Sequence, residues 1–165
     1  MKKIAVLMII MLMFIGAFAQ KINEKDVPIG ILNDLKTRYP SAEKVQWFKD
    51  NARFAAEFTN DGSKVRAEYE NNYWFRTFWS IPLEYTPFKI KDYVAQYYAG
   101  FKIMKIDMLE TNANERSYVV NVQKKKKDEF DLYFELTGTF LKKIDKNETK
   151  NDVKKVEEKK EPEKK

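Results

Sequence analysis

The 165-residue chain contains no cysteine and no histidine. Without cysteine it forms no disulfide and carries no cysteine-linked lipid, so an exported domain of this sequence depends on its hydrophobic core for stability. The same absences exclude serine–histidine–aspartate and cysteine–histidine nucleophile systems, histidine acid–base catalysis and the usual zinc sites. Only five glycines are present, and none lies in a phosphate-binding loop. The sequence predicts no enzyme, no catalytic residue, no metal site and no cofactor.

The start of the chain, 1–19, has the three parts of an export signal. Lys2 and Lys3 provide the positive start, an apolar run follows, and Ala17-Phe18-Ala19 is a cleavage site of small residues around a larger one. An uncleaved membrane anchor is the alternative, but the apolar run is shorter than the roughly 20 residues of a spanning helix. The pattern predicts a signal peptide at 1–19, a periplasmic or secreted protein, and no stable membrane span after cleavage.

The other end of the chain, residues 146–165, consists mainly of lysine and glutamate. Such a composition buries too little apolar surface to offset the entropy of ordering, so we predict a disordered tail, with a solvated helix as the alternative. Residues 20–145 contain 21 basic and 19 acidic side chains. This near balance does not indicate nucleic acid as a partner.

Residues 20–145 are predicted to form one domain built from a duplicated unit. The predicted helices are Pro28–Tyr39 and Pro87–Ala99, and the interval from Pro28 to Pro87 recurs between Tyr39 and Tyr98. Alternating apolar residues and turn signals predict strands at 44–49, 53–60, 63–70, 73–80, 103–110, 117–123, 129–136 and 139–144. With repeat one at 26–82 and repeat two at 86–145, the sequence predicts an α+β fold: two tandem α-β-β-β-β repeats forming one curved antiparallel sheet of about eight strands, with two helices packed on one face.

The segment NNYWFRTFWSIP, residues 71–82, has aromatic residues on both faces of its predicted strand. Matching the two copies across this segment aligns Phe75 with Phe140 and Trp79 with Ile144. We therefore expect Tyr73, Phe75 and Trp79 to face the helices.

The opposite face of that segment would then carry Trp74, Arg76 and Phe78, joined by Phe48 from an earlier strand. The same alignment places Thr139, Leu141 and Lys143 at the equivalent positions of the second copy, so the fold itself would not require the outer aromatics. Either another part of the chain covers them, or they bind a partner. Tryptophan, tyrosine and arginine are enriched in protein interfaces, and we predict a partner-binding site at Phe48, Trp74, Arg76 and Phe78.

Several of these residues resemble a known family. The quoted matches are Val27-Pro28, Ile31, Leu35, Tyr39-Pro40-Ser41-Ala42, Val45, Trp47, Phe54-Ala55-Ala56-Glu57-Phe58, Gly62, Tyr69 and Trp74. Together with the second copy, they resemble the PepSY-like domains of small exported bacterial proteins, a family also described as β-lactamase-inhibitor-like. The resemblance covers about residues 27–145. Thr86-Pro87 stands where the family has a Leu-Pro pair, and Ala99 stands at the position matching Pro40.

The resemblance implies a duplicated helix-and-strands fold, a periplasmic or secreted location and a role in protein binding. It supplies no established catalytic residues. The function predicted is a non-catalytic exported binding module, an inhibitor-like domain that binds an envelope or extracellular protein, such as a peptidase or another hydrolase, through its outer sheet face. A shared architecture does not transfer function by itself.

Three alternatives remain open at this stage. Glu57, Glu68 and Glu70 would share the outer face of copy one, as in a carboxylate hydrolase, although pairing with neighbouring arginine and lysine explains them more simply. A small ligand held between the repeats would make the chain an envelope accessory protein. The run Lys124–Lys127 is either an anchor for anionic lipid or polysaccharide, or a solvated hairpin that protects a strand end.

Overall fold

The computed structural model describes residues 20–125 and 128–145, so the predicted signal peptide and tail lie outside the described residues. Nine strands and two α-helices occupy this part of the chain. The strands are β1 (Gln20–Ile22), β2 (Ala42–Asp50), β3 (Arg53–Asn60), β4 (Ser63–Glu70), β5 (Tyr73–Ile81), β6 (Lys102–Thr111), β7 (Arg116–Gln123), β8 (Glu129–Glu135) and β9 (Phe140–Asp145). The helices are α1 (Ile29–Arg38) and α2 (Phe88–Tyr97). A 3-10 turn precedes each helix, at Glu24–Asp26 and at Leu83–Tyr85.

The nine strands form one open antiparallel sheet in which each strand lies beside its neighbours in sequence. The predicted α+β class and the duplicated order of one helix followed by four strands are confirmed. The ninth strand, β1, was not predicted. It has only three residues, paired with Lys49, Phe48 and Trp47 of β2, and so short a segment shows no usable alternation of apolar and polar residues.

Both helices begin in the same way. Pro28 and Pro87 are the last extended residues before the two helices. At this position the missing N–H of proline costs no helical hydrogen bond. Asp26 and Thr86, the nearest polar residues before these prolines, make no capping hydrogen bond to a helix. Thr86 instead donates its hydroxyl to the carbonyl of Leu83, 2.7 Å away, within the second 3-10 turn.

The described residues group into two compact units. The first contains residues 20–61 and 66–75, and its core forms where Ile31 and Leu35 of α1 are buried together with aromatic residues of the strands. Tyr39 contacts Phe58, with ring centres 5.0 Å apart, and Trp47 contacts Tyr69 at 6.2 Å.

The second unit contains residues 62–65, 76–125 and 128–145. Ile90 and Val94 of α2 pack on the inward residues of three strands: Ile106, Val120, Val122, Leu132 and Phe134. Tyr93 extends this core by stacking on Phe140, with ring centres 4.9 Å apart. The alternate apolar residues of β7 and β8 therefore face the helix.

Candidate functional site

Trp74 lies on the helix-bearing side of the first unit. The guanidinium carbon of Arg38, the last residue of α1, is 4.3 Å from the centre of the Trp74 ring. Arg38 is itself held by Asp34, because its Nε–H donates to both carboxylate oxygens, at 2.8 and 3.0 Å. The prediction that Trp74 faces away from the helices is therefore wrong.

The error arises from the length of one turn. In the first copy, β4 ends at Glu70 and β5 begins at Tyr73, so Asn71 and Asn72 alone form the turn. In the second copy the backbone N–H of Glu135 donates to the carbonyl of Thr139, which makes that turn longer by one residue. The alignment of the copies therefore shifts by one position beyond the turn, and Trp74 matches Phe140. Such a slip exchanges the two faces of a strand.

The three aromatic residues of β5 that were expected to face the helices differ in outcome. Tyr73 is 78% exposed. Phe75 is half-buried. Trp79 is paired with Met108, two positions from the core residue Ile106, so Trp79 lies on the helix side as predicted.

Arg76 and Phe78 lie on the face of the second unit that is opposite α2. Ile81 pairs with Ile106 on the helix side, whereas Phe78 pairs with Leu109, an odd number of positions away on both strands. The two faces of a strand alternate, so Phe78 and Leu109 point away from α2. The guanidinium carbon of Arg76 is 5.1 Å from the centre of the Phe78 ring. Their predicted orientation agrees with the structure.

Trp74 belongs to the first unit and Phe78 to the second, so the neighbouring helix is α1 for Trp74 and α2 for Phe78. In the second copy the last pair of strands is irregular. There, Phe134 pairs with Phe140 while Tyr133 pairs with Lys142, which leaves Leu141 as an extra residue. An extra residue of this kind re-aims the side chains that follow it.

Around Phe78, the face opposite α2 carries apolar residues that are almost fully covered. Leu109 and Val119 are each only 6% exposed. Asp107 is paired with Val119 and is equally covered, and its Oδ2 lies 2.9 Å from the Nζ of Lys105. Its other oxygen, Oδ1, has no hydrogen-bond partner among the described residues. We call the set Arg76, Phe78, Asp107, Leu109 and Val119 the outer patch.

Sequence reasoning missed three members of the outer patch. Val119 stands in Tyr118-Val119-Val120, where consecutive apolar residues must place one side chain on the face away from the helix. Leu109 follows Met108 in the same way. These two runs of consecutive apolar residues indicate that both faces of β6 and β7 are covered.

Phe48, the remaining predicted site residue, lies on the non-helix face of the first unit. Trp47 beside it is buried in the core, and Phe48 pairs with Ala55 of β3 and Lys21 of β1. Phe48 is half-buried and Ala55 is buried. The structure thus places Phe48 on its predicted face, but it lies in a different unit from Arg76 and Phe78.

The three glutamates of the hydrolase alternative are engaged in ion pairs. Arg66 donates to Glu57 at 2.6 Å and to Glu68 at 2.8 Å, and Arg53 donates to Glu70 at 2.8 Å. Burial lowers the pKa of Arg66, but the hydrogen bonds and charges of Glu68 and Glu57 outweigh it and hold that pKa above its ordinary value. The arrangement is that of cross-strand ion pairs, and it leaves no pair of carboxylates with separate acid and base roles.

Of the predicted lysine run, only Lys124 and Lys125 belong to the described residues. The Nζ of Lys124 lies 5.8 Å from the centre of the Phe101 ring, and its aliphatic chain approaches Gly100. Lys124 therefore covers the end of the second core, as long cationic side chains commonly do.

Tyr69 is a buried polar residue of the first core. Its hydroxyl lies close to the Asp34 carboxylate but outside hydrogen-bond geometry. Burial raises the pKa of Tyr69, and the Asp34 charge raises it further. Asp34 thus contacts Arg38 on one side and approaches Tyr69 on the other, which ties the end of α1 to the sheet.

Two further properties concern the described ranges. No group of three or more acidic side chains within residues 20–125 and 128–145 is arranged to hold a metal ion. Among the helices of the same ranges, none is long and apolar enough to cross a membrane.

Comparison with known proteins gives a fold. Neither a family model nor a curated protein matches the chain. Among solved structures, a BLIP-like protein from Bacteroides fragilis has a TM-score of 0.60 and 23% identity, covering 72% of this chain and 86% of that one. A DUF2874 family protein from Bacteroides ovatus has a TM-score of 0.61 and 21% identity, with coverages of 71% and 86%.

A candidate periplasmic protein from Bacteroides eggerthii has a TM-score of 0.61 and 17% identity, with coverages of 72% and 88%. These identities are too low to carry function. The PepSY part of the predicted resemblance stays a prediction, since none of these structures is described in that way. The order of helices and strands together with the three structural matches shows that the chain has a BLIP-like, that is β-lactamase-inhibitor-like, fold.

Proposed function

We propose that the protein is a non-catalytic, exported binding module that recognises another protein through the sheet face opposite its helices. The observation that carries this proposal is the outer patch, in which Arg76 stacks on Phe78 beside the covered residues Leu109 and Val119. An aromatic ring and an arginine over a dry apolar floor are the usual composition of a protein-binding hot spot. Phe48, half-buried on the non-helix face of the first unit, is a separate candidate contact.

Asp107 lies within the outer patch, and its Oδ1 is covered and has no hydrogen-bond partner among the described residues. Phe78 is a half-buried apolar side chain of the patch. We therefore expect the partner to present an apolar side chain to Phe78.

The proposal that the protein is exported is supported by the signal pattern of residues 1–19 and by the likeness to the candidate periplasmic protein from Bacteroides eggerthii. The likeness to a BLIP-like protein supports an inhibitor-like role toward a hydrolase as the first partner class to test. A carboxylate hydrolase is not supported, because Glu57, Glu68 and Glu70 are each paired with an arginine.

Photocrosslinking in the intact cell envelope tests the proposal. A photoreactive phenylalanine analogue is placed at position 78 and, as the control, at position 88, where Phe88 is 79% exposed on α2. A discrete adduct from position 78 that is lost with Arg76→Glu supports the sheet face. Lys91→Glu, which reverses an exposed cation on α2, should leave the adduct unchanged. An adduct from position 88 alone, or one insensitive to Arg76→Glu, would overturn the proposal.

A further inference from the structure

A cavity of about 150 Å³ lies within the first unit. It is bounded by the 3-10 turn at Glu24–Asp26, by α1 and by the start of β2. Its wall combines polar groups with apolar residues, among them Leu32, Leu35, Tyr39, Val45 and Trp47. An apolar cavity of about 150 Å³ is large enough to bind benzene. This one therefore has room for an amino-acid side chain the size of leucine or phenylalanine.

The second copy is filled at the matching position. In the alignment that matches Tyr39 with Tyr98, Ala42, which lines the cavity, matches Phe101. The ring of Phe101 packs against Tyr98 with centres 5.7 Å apart and against Phe130 at 5.5 Å. The fold thus accommodates an aromatic ring at the position where the first copy has only the methyl group of Ala42. The fold therefore does not require the open space.

Two opposite charges line the same cavity. Glu24 on the 3-10 turn and Lys36 on α1 both contribute to the wall, and both are exposed. Neither forms an ion pair with another of the described residues. Their counterparts in the second copy are Leu83 and Ala95, which carry no charge. A carboxylate, an ammonium group and an apolar cavity therefore occur together in the first copy and not at the matching positions of the second.

We propose that this cavity binds a free α-amino acid with an apolar side chain. The side chain would enter the space between Leu35, Val45 and Trp47. The ligand's ammonium group would face the carboxylate of Glu24, and its carboxylate would face the ammonium group of Lys36. The zwitterion is the simplest small molecule that complements both charges while presenting an apolar group. This site is separate from the outer patch, and neither proposal depends on the other.

An NMR titration of the purified protein tests the proposal, with the indole N–H of Trp47 as the reporter in the cavity wall. L-phenylalanine and L-leucine are expected to shift this resonance saturably. L-serine, which lacks the apolar group, and benzyl alcohol, which lacks the charges, should each bind at least about tenfold more weakly. Equal binding of benzyl alcohol and phenylalanine would show that the charged groups of the ligand are not recognised, which would overturn the assigned ligand. The absence of a shift with either amino acid would overturn the proposal as a whole.

Variants taken from the second copy sharpen the test. Ala42→Phe fills the cavity with the residue found at its counterpart and should abolish amino-acid binding. Ala99→Phe, which adds the same ring at an exposed site, is the control and should bind normally. If Ala42→Phe does not fold, the exposed variants Glu24→Gln and Lys36→Gln decide: each should weaken phenylalanine binding by about tenfold without changing benzyl alcohol binding. Unchanged phenylalanine binding in both would refute the assigned ligand.

Discussion

Trp74 and Tyr73 are adjacent aromatic residues on β5, and truncating each in turn tests which side of the sheet they occupy. The structure places Trp74 under Arg38 and leaves Tyr73 largely exposed. Trp74→Ala should therefore destabilise the protein and Tyr73→Ala should not. An alignment of the copies that ignores the longer second turn predicts the reverse order. The two variants make a matched pair, since they remove side chains of similar size from neighbouring positions.

The expected magnitude follows from the surroundings of Trp74. Truncating a fully buried tryptophan to alanine costs about 3–5 kcal/mol. Trp74 is half-buried, which reduces this to about 2 kcal/mol. Loss of the contact with the Arg38 guanidinium adds about 0.5–1 kcal/mol. Trp74→Ala should thus lower the free energy of unfolding by about 2–3 kcal/mol, whereas an exposed substitution such as Tyr73→Ala stays within about 0.5 kcal/mol.

Urea unfolding followed by far-ultraviolet circular dichroism measures both free energies. A double-mutant cycle with Arg38→Ala isolates the cation–π contact and should give a coupling free energy of about 0.5–1 kcal/mol between Arg38 and Trp74. The reasoning fails if Tyr73→Ala proves the more destabilising variant. It fails equally if Trp74→Ala leaves stability unchanged and the coupling is zero, because Trp74 would then not lie against α1.

Two further predictions concern a buried hydroxyl and a turn. The raised pKa of Tyr69 keeps it protonated in the folded state, while unfolded tyrosine ionises near pH 10. Its stabilising effect is thus complete below about pH 10 and lost above it, so Tyr69→Phe should reduce the fall in unfolding free energy between about pH 8 and pH 11. An unchanged fall would show that Tyr69 ionises normally. Gly138→Ala and Gly62→Ala both place alanine at positive φ, at +84° and +80°, but only the former brings a Cβ to 2.9 Å from the Cβ of Lys89. We expect about 1 kcal/mol for Gly62→Ala and at least about 1 kcal/mol more for Gly138→Ala in thermal unfolding, and equal costs would refute the clash.

The elements of the fold could be read from the sequence because their signals are local. Pro28 and Pro87 mark the helix starts. Asp61-Gly62 and Asn71-Asn72 form tight hairpin turns, in which these residues adopt the positive φ angles that such turns require. In β3, β7 and β8 the alternate apolar residues of the sequence are the buried ones, such as Phe54, Val120 and Leu132. Only β1 was not predicted, since so short a strand shows no periodic pattern of apolar residues.

The faces of β5 could not be read in the same way. Every candidate alternation in NNYWFRTFWSIP contains large aromatic residues, so hydrophobicity alone does not choose between them. The choice depends on a single extra residue in a distant turn. That turn is set by a backbone hydrogen bond from the N–H of Glu135 to the carbonyl of Thr139, and composition does not report it.

The corrected alignment also changes what the internal copies say about function. Under it, Arg76 matches Lys142 and Phe78 matches Ile144, so the second copy keeps a cation and an apolar residue at these positions. Lys142 even lies over an aromatic ring, 4.7 Å from the centre of Tyr133. A cation over an aromatic ring on this face is therefore common to both copies, so the contact between Arg76 and Phe78 does not by itself distinguish the first copy from the second.

The residues that do distinguish the copies surround the cavity of the first unit. A methyl group replaces a ring at Ala42, and charges replace apolar residues at Glu24 and Lys36. Three differences around one space are harder to attribute to drift than a single exposed aromatic residue. The space is open to solvent, since Glu24 and Lys36 in its wall are exposed, so a small ligand can reach it. These three differences are why amino-acid binding should be measured before a protein partner is sought.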